Sequence, residues 1–96
     1  MNHAQELQAR EGVATVVYTK PDCQPCRMTK RKLDSAGIYY TTVDVTQDPA
    51  ALEFVKALGY TGAPVVYVSA IEGDTHWYGL RKDLIELHIT ARADAA

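Results

Sequence analysis

The chain is poor in cysteine: it has only two, which excludes a small domain held together by a disulfide framework. No stretch approaches the roughly 20 consecutive apolar residues of a membrane-spanning helix, so no membrane partner is expected. Neither sign of charge dominates, with 10 Lys and Arg against 12 Asp and Glu, and this excludes the basic excess of a nucleic-acid-binding domain. The first residues, Met-Asn-His-Ala-Gln-Glu-Leu, lack the basic and apolar regions of a secretory signal, so a cytoplasmic location is expected. Repeats and low-complexity linkers are absent as well. A hydrophobic fraction of 47% over 96 residues is enough for one domain with a modest core that needs neither staples nor a metal.

What is present is concentrated in one place. Both cysteines fall in Cys23-Gln24-Pro25-Cys26. The β-branched run Val13-Ala14-Thr15-Val16-Val17-Tyr18-Thr19 before them reads as a buried strand. After them Cys26, Thr29, Leu33 and Ala36 recur at helical spacing, which predicts a helix over 24–36 with those residues inward and Gly37 just past its end. A Cys-x-x-Cys pair at a strand-to-helix junction is well placed for reactivity. The unpaired N–H groups of a helix N-terminus stabilise a thiolate, and the thiolate is the nucleophile. In a reducing compartment such a pair is catalytic or metal-binding rather than a structural staple.

The rest of the chain is evenly punctuated. A second strand is expected over 39–45, then a helix from Asp48-Pro49 to Leu58, with Asp48 as N-cap, Leu52, Val55 and Leu58 as its apolar stripe, and Gly59 as its stop. A third strand follows over 65–68. Residues 69–75 read as an insertion-like turn, 75–78 as a short fourth strand and 81–89 as a last helix burying Leu84, Ile85 and His88. The order is β-α-β-α-β-β-α. A right-handed crossover makes the first two strands parallel, and the short third link requires an antiparallel hairpin. The expected fold is α/β, a four-stranded mixed sheet with helices on both faces, over 13–89. Residues 1–12 are read as a flexible N-terminal extension and 90–96 as a flexible tail.

The two cysteines differ in position. Cys23 lies at the first turn of the helix, where the dipole acts and solvent is expected to reach it, so it is assigned the attack on a target disulfide. Cys26, nearly one turn deeper on the apolar face, is assigned the resolving step. Lys20, Arg27, Lys30, Arg31 and Lys32 put five of the 10 basic residues into one window, against Asp22 alone. That charge favours a thiolate and attracts acidic partners; on the plainer reading it is a solvated helix face. Lys20, just before the motif, is the best functional candidate of the five. Pro25 suits an early helical position, where the missing N–H costs nothing; it also stiffens the loop, which tunes the reduction potential, and with Lys20 it is counted among the partner-binding residues. Trp77 belongs either to the core or to a partner-docking loop. His3, His76 and His88 have no metal-ligand spacing with the cysteines, and no metal site is expected.

These residues carry a resemblance. The element order, with Cys-x-x-Cys after the first strand and a proline opening the third, resembles the thioredoxin fold. The segment Tyr18-Thr19-Lys20-Pro21-Asp22-Cys23-Gln24-Pro25-Cys26 looks like the glutaredoxin branch. Thr29-Lys30, Ala57-Leu58-Gly59-Tyr60, Ala63-Pro64-Val65-Val66 and Trp77-Tyr78-Gly79-Leu80-Arg81 are similar in order and spacing to the NrdH-redoxin group. The chain departs from that group at Pro25, where glutamine is usual, and at Lys82, where proline usually follows the arginine.

The resemblance implies a small monomeric thiol–disulfide oxidoreductase of cell redox homeostasis. It would bind no cofactor and would draw its electrons from NADPH through thioredoxin reductase, passing them to class Ib ribonucleotide reductase or other protein disulfides. It also implies that Pro64 is cis and faces the cysteines, and that Ala63, Pro64, Val65, Trp77, Gly79 and Arg81 serve partner binding, with Arg81 equally able to fix the loop before it. Two alternatives stand beside it. A glutathione-dependent glutaredoxin is one, although Leu80 stands where glutaredoxins usually carry a second glycine. The other is a dimeric iron–sulfur or zinc protein, since two cysteines cannot fill four ligand positions.

Overall fold

In the computed structural model, which describes residues 13–91, the β-branched run folds as the central strand β1 (Val13–Thr19), whose inward positions Thr15, Val17 and Thr19 are buried. The chain then forms α1 (Gln24–Ser35), β2 (Thr41–Asp44), α2 (Pro49–Ala57), β3 (Val65–Ala70), β4 (Gly73–Tyr78) and α3 (Lys82–Ile85), which runs on through a wider π-helical turn, Glu86–Thr90. The sheet order is β2-β1-β3-β4. β1 and β2 are parallel, from Val16 opposite Thr41 to Thr19 opposite Asp44, and the other two pairs are antiparallel, as expected. On one face Val17, Val66, Val68 and Trp77 meet Leu33 of α1 with Ile85 and Ile89 of the last helix. On the other face Phe54 of α2 lies between the rings of Tyr18 and Tyr67, 5.6 and 5.4 Å away.

The helix ends follow local chemistry. Asp48 caps α2 by accepting the Ala51 N–H at 3.0 Å. Both long helices close in the same six-residue wrap. Gly37 and Ile38 donate to Asp34 and Leu33, while Gly59 and Tyr60 donate to Lys56 and Val55. Both glycines have positive φ, the conformation this wrap requires. Because α1 stops at Ser35, Ala36 is its cap and is exposed, not inward as its spacing suggested.

Other boundaries moved for tertiary reasons. β2 is shorter than 39–45 because it is an edge strand paired to β1 alone; the Tyr40 hydroxyl instead donates to Asp34 at 2.7 Å. Residues 69–75 are not an insertion. Pairing continues from Val65 opposite Tyr78 to Ala70 opposite Gly73, so only Ile71 and Glu72 link the two strands. In α2 the buried residues are Ala51 and Val55, with Leu52 and Leu58 half-buried. Helical structure continues through Ala91, past the expected tail boundary at Thr90. The expected extension over 1–12 and the remainder of the tail lie outside the described residues.

Candidate active site

Lys20-Pro21-Asp22 carries the chain off the end of β1, with Asp22 at φ 54°, and delivers Cys23 as the N-cap of α1. The sulfur takes the role a capping oxygen usually fills: Cys23 Sγ accepts the Cys26 N–H at 3.2 Å. One of the helix's orphan donors thus points at the sulfur, the arrangement that favours negative charge on it after reduction. Cys23 and Cys26 are joined as a disulfide, with Cα atoms 5.2 Å apart. Pro25 sits exposed in the first turn, and its carbonyl accepts the Thr29 hydroxyl at 2.8 Å, on the turn immediately below the pair.

Cys23 is more enclosed than its place at a helix start suggested, at 4% exposed against 1% for Cys26. The cover comes from a segment forty residues away. Ala63 is buried against both cysteines, its carbonyl oxygen 3.7 Å from Cys23 Sγ. In the disulfide this is a contact without a proton; a Cys23 thiol would donate to that oxygen. The Ala63–Pro64 peptide is cis, and the Pro64 carbonyl accepts the Gly79 N–H at 2.8 Å. Gly79 has φ 87°, so it turns the chain out of β4 directly beside the cis bond. Ala63 is therefore brought to the cysteines, and Pro64, cis as the resemblance implies, is tied to Gly79.

The side chains of the other expected partner-binding residues take different positions. Val65 is fully buried, in register with Tyr18 and Tyr78, so only its backbone, the part expected to meet a partner, is left for that role. Trp77 is 4% exposed, lies in the main core and stacks on His88 at 5.9 Å; of its two readings the structure selects the core. Arg81 is exposed and grips Asp83 through two bonds of 3.1 and 2.9 Å, rather than the loop before it. That pairing holds the Asp83 carboxyl below its ordinary range.

The basic window is partly self-engaged. Arg27 donates to Gln24 at 2.7 Å and Lys32 to Glu86 at 3.2 Å, while Lys20 and Arg31 are exposed. Among the described residues no group of three or more His, Cys, Asp and Glu could hold a metal ion. Sequence reasoning missed Tyr60, Gly62 and Tyr78. The Tyr78 ring rests against Gly62 and stacks on Tyr60, whose hydroxyl meets His76 Nδ1 at 2.8 Å. No spacing within the sequence signals that cluster, since its members lie on a loop and a neighbouring strand.

A dithiol pair capping the first helix, faced by a cis-proline loop on a four-stranded mixed sheet, defines a thioredoxin-fold thiol–disulfide oxidoreductase. Comparison with known proteins gives the branch. The glutaredoxin family pattern matches residues 15–71. The chain is 37% identical over 81 residues to the glutaredoxin-like protein NrdH of Escherichia coli K12, covering 83% of this chain and 95% of that protein. The solved structure of the E. coli NrdH-redoxin, a glutaredoxin-like protein with a thioredoxin-like activity profile, superposes with a TM-score of 0.68 at 35% identity, over 77% of this chain and 92% of that one. A crystal structure of the thioredoxin-like protein BC3987 reaches 0.67 at 28% identity, over 78% and 99%. The chain belongs to the glutaredoxin family, and within it is an NrdH-like redoxin.

Proposed function

We propose that this redoxin reduces protein disulfides with electrons from NADPH delivered by thioredoxin reductase, and that class Ib ribonucleotide reductase is its main acceptor. It acts as a cytoplasmic monomer and binds no cofactor of its own. The Cys23 thiolate attacks one sulfur of the target disulfide, forming a Cys23–target disulfide and expelling the other target sulfur as a thiolate. Cys26 then attacks Cys23 Sγ and expels the second target sulfur. Two electrons pass to the target, whose thiolates take up protons, and the redoxin is left as the Cys23–Cys26 disulfide.

The observation that carries this reading lies where a glutaredoxin would hold glutathione. Leu80 occupies the place of the second glycine, and Asp83, which matches the downstream aspartate that would help hold the γ-glutamyl end of glutathione, is paired with Arg81. The thioredoxin-like profile of the E. coli relative supports the same electron source. The test is to supply NADPH with either thioredoxin reductase or glutathione plus glutathione reductase, and to follow NADPH loss as the oxidised redoxin is reduced. Turnover is expected with thioredoxin reductase. Faster turnover with glutathione would overturn the reading. Coupling the reduced redoxin to ribonucleotide reductase and measuring deoxyribonucleotide formation tests the acceptor.

A further inference from the structure

Alone among the described glycines, Gly62 lies outside the left-handed region, so its backbone does not require the missing side chain. Its neighbour does. A methyl group added there would come within 3.0 Å of both Cε2 and the hydroxyl of Tyr78. The ring that occupies this space is 52% exposed, which is unusual for a side chain fitted so closely to backbone. It is held from behind by Tyr60, stacked at 6.2 Å and 23°, and Tyr60 is itself fixed by His76.

The position of the ring matters more than its fit. Gly62 precedes Ala63, whose carbonyl touches Cys23, and Tyr78 precedes Gly79, whose N–H holds the Pro64 carbonyl. Tyr78 is therefore tied to both sides of the cis peptide that faces the disulfide, with half its surface free. An extended segment that reaches Cys23 along Ala63 would carry the side chain next to its cysteine past Gly62, the residue on which that ring rests.

We propose that Tyr78, seated on Gly62, is a specificity shelf that reads the target residue beside the attacked cysteine and favours an apolar, above all aromatic, side chain. The ring is preordered, so a target side chain laid on it gains contact area without the cost of ordering the shelf. The inference rests on the reading of the chain as a reductant of protein disulfides, and its surface is continuous with the site where that exchange takes place.

The test uses the redoxin reduced with dithiothreitol and freed of it, so that no reductase is involved. Two peptide disulfides are compared that differ only in Phe or Ser beside the attacked cysteine, with hydroxyethyl disulfide as a small control. Wild type is expected to reduce the Phe peptide about two- to tenfold faster, the range of an aromatic pair. In Tyr78→Ser the preference is expected to fall below about twofold while hydroxyethyl disulfide is reduced at the wild-type rate, and Tyr78→Phe is expected to retain the preference. A preference that survives in Tyr78→Ser overturns the proposal. So does an equal loss on hydroxyethyl disulfide, because the ring would then serve only to hold the loop. Equal wild-type rates on the two peptides overturn the shelf and leave the functional reading standing, whereas failure to reduce either peptide overturns that reading too.

Discussion

Trp77 separates two accounts of how this redoxin meets its partners, and one substitution distinguishes them. The indole is 4% exposed, its strand neighbour is Val66, and it shares a cluster with Leu33, Ile85 and Ile89 while stacking on His88. Removing such a ring from a core costs about 3–5 kcal/mol in lost transfer energy and residual cavity. For a domain of this size each kcal/mol shifts Tm by about 4–8 °C, so Trp77→Ala should lower Tm by at least about 12 °C. Trp77→Phe should be far milder. It loses part of the ring but also removes a buried Nε1–H with no acceptor among the described residues, a group whose burial costs about 1–3 kcal/mol when unpaired. The assay is thermal unfolding of the three oxidised proteins by circular dichroism, paired with the rate of target reduction well below the transition. If Trp77→Ala moved Tm by less than about 4 °C, equivalent to about 1 kcal/mol, yet slowed target reduction, the core assignment would be refuted and the docking role restored.

Other outcomes follow from single contacts. Cys26→Ser should hold a target as a stable mixed disulfide with Cys23, identified by mass spectrometry; trapping by Cys23→Ser instead would reverse the two roles. Asp48→Ala removes the acceptor of the Ala51 N–H and should destabilise the protein by about 1 kcal/mol in urea titrations, with Asp48→Asn restoring most of it. The Tyr40 hydroxyl, held by burial and by Asp34, has its pKa pushed up to about 12. A proton bound more tightly in the folded state stabilises fully below the unfolded tyrosine pKa of about 10 and is lost as pH rises toward the folded value. Stability should therefore fall across that alkaline window in wild type, and less so in Tyr40→Phe, as measured by urea midpoints at each pH.

Much of the fold was legible because it is written in short-range chemistry. The β-branched run Val13–Thr19, the Asp48 cap with Pro49 behind it, and the glycines at 37 and 59 all act through bonds spanning a few residues. The placement of Cys23 and Cys26 on the first turn of α1 is of the same kind, since one cysteine caps the N–H of the other. The chain alone thus determined where the dithiol stands, which helix end it caps and the order of strands and helices around it. What it could not determine depends on residues far apart in sequence but adjacent in space. Ala63 covers Cys23 from forty positions away, so the Cys23 sulfur is enclosed rather than open to solvent. Val65 and Trp77 went to the interior because the third and fourth strands pair along their full length. Arg81 went to Asp83, and Tyr78 settled on Gly62. Local hydrogen bonds tie the dithiol to its helix end, but the surface around it is assembled from one loop and two strand ends, and only burial of the common core brings those together.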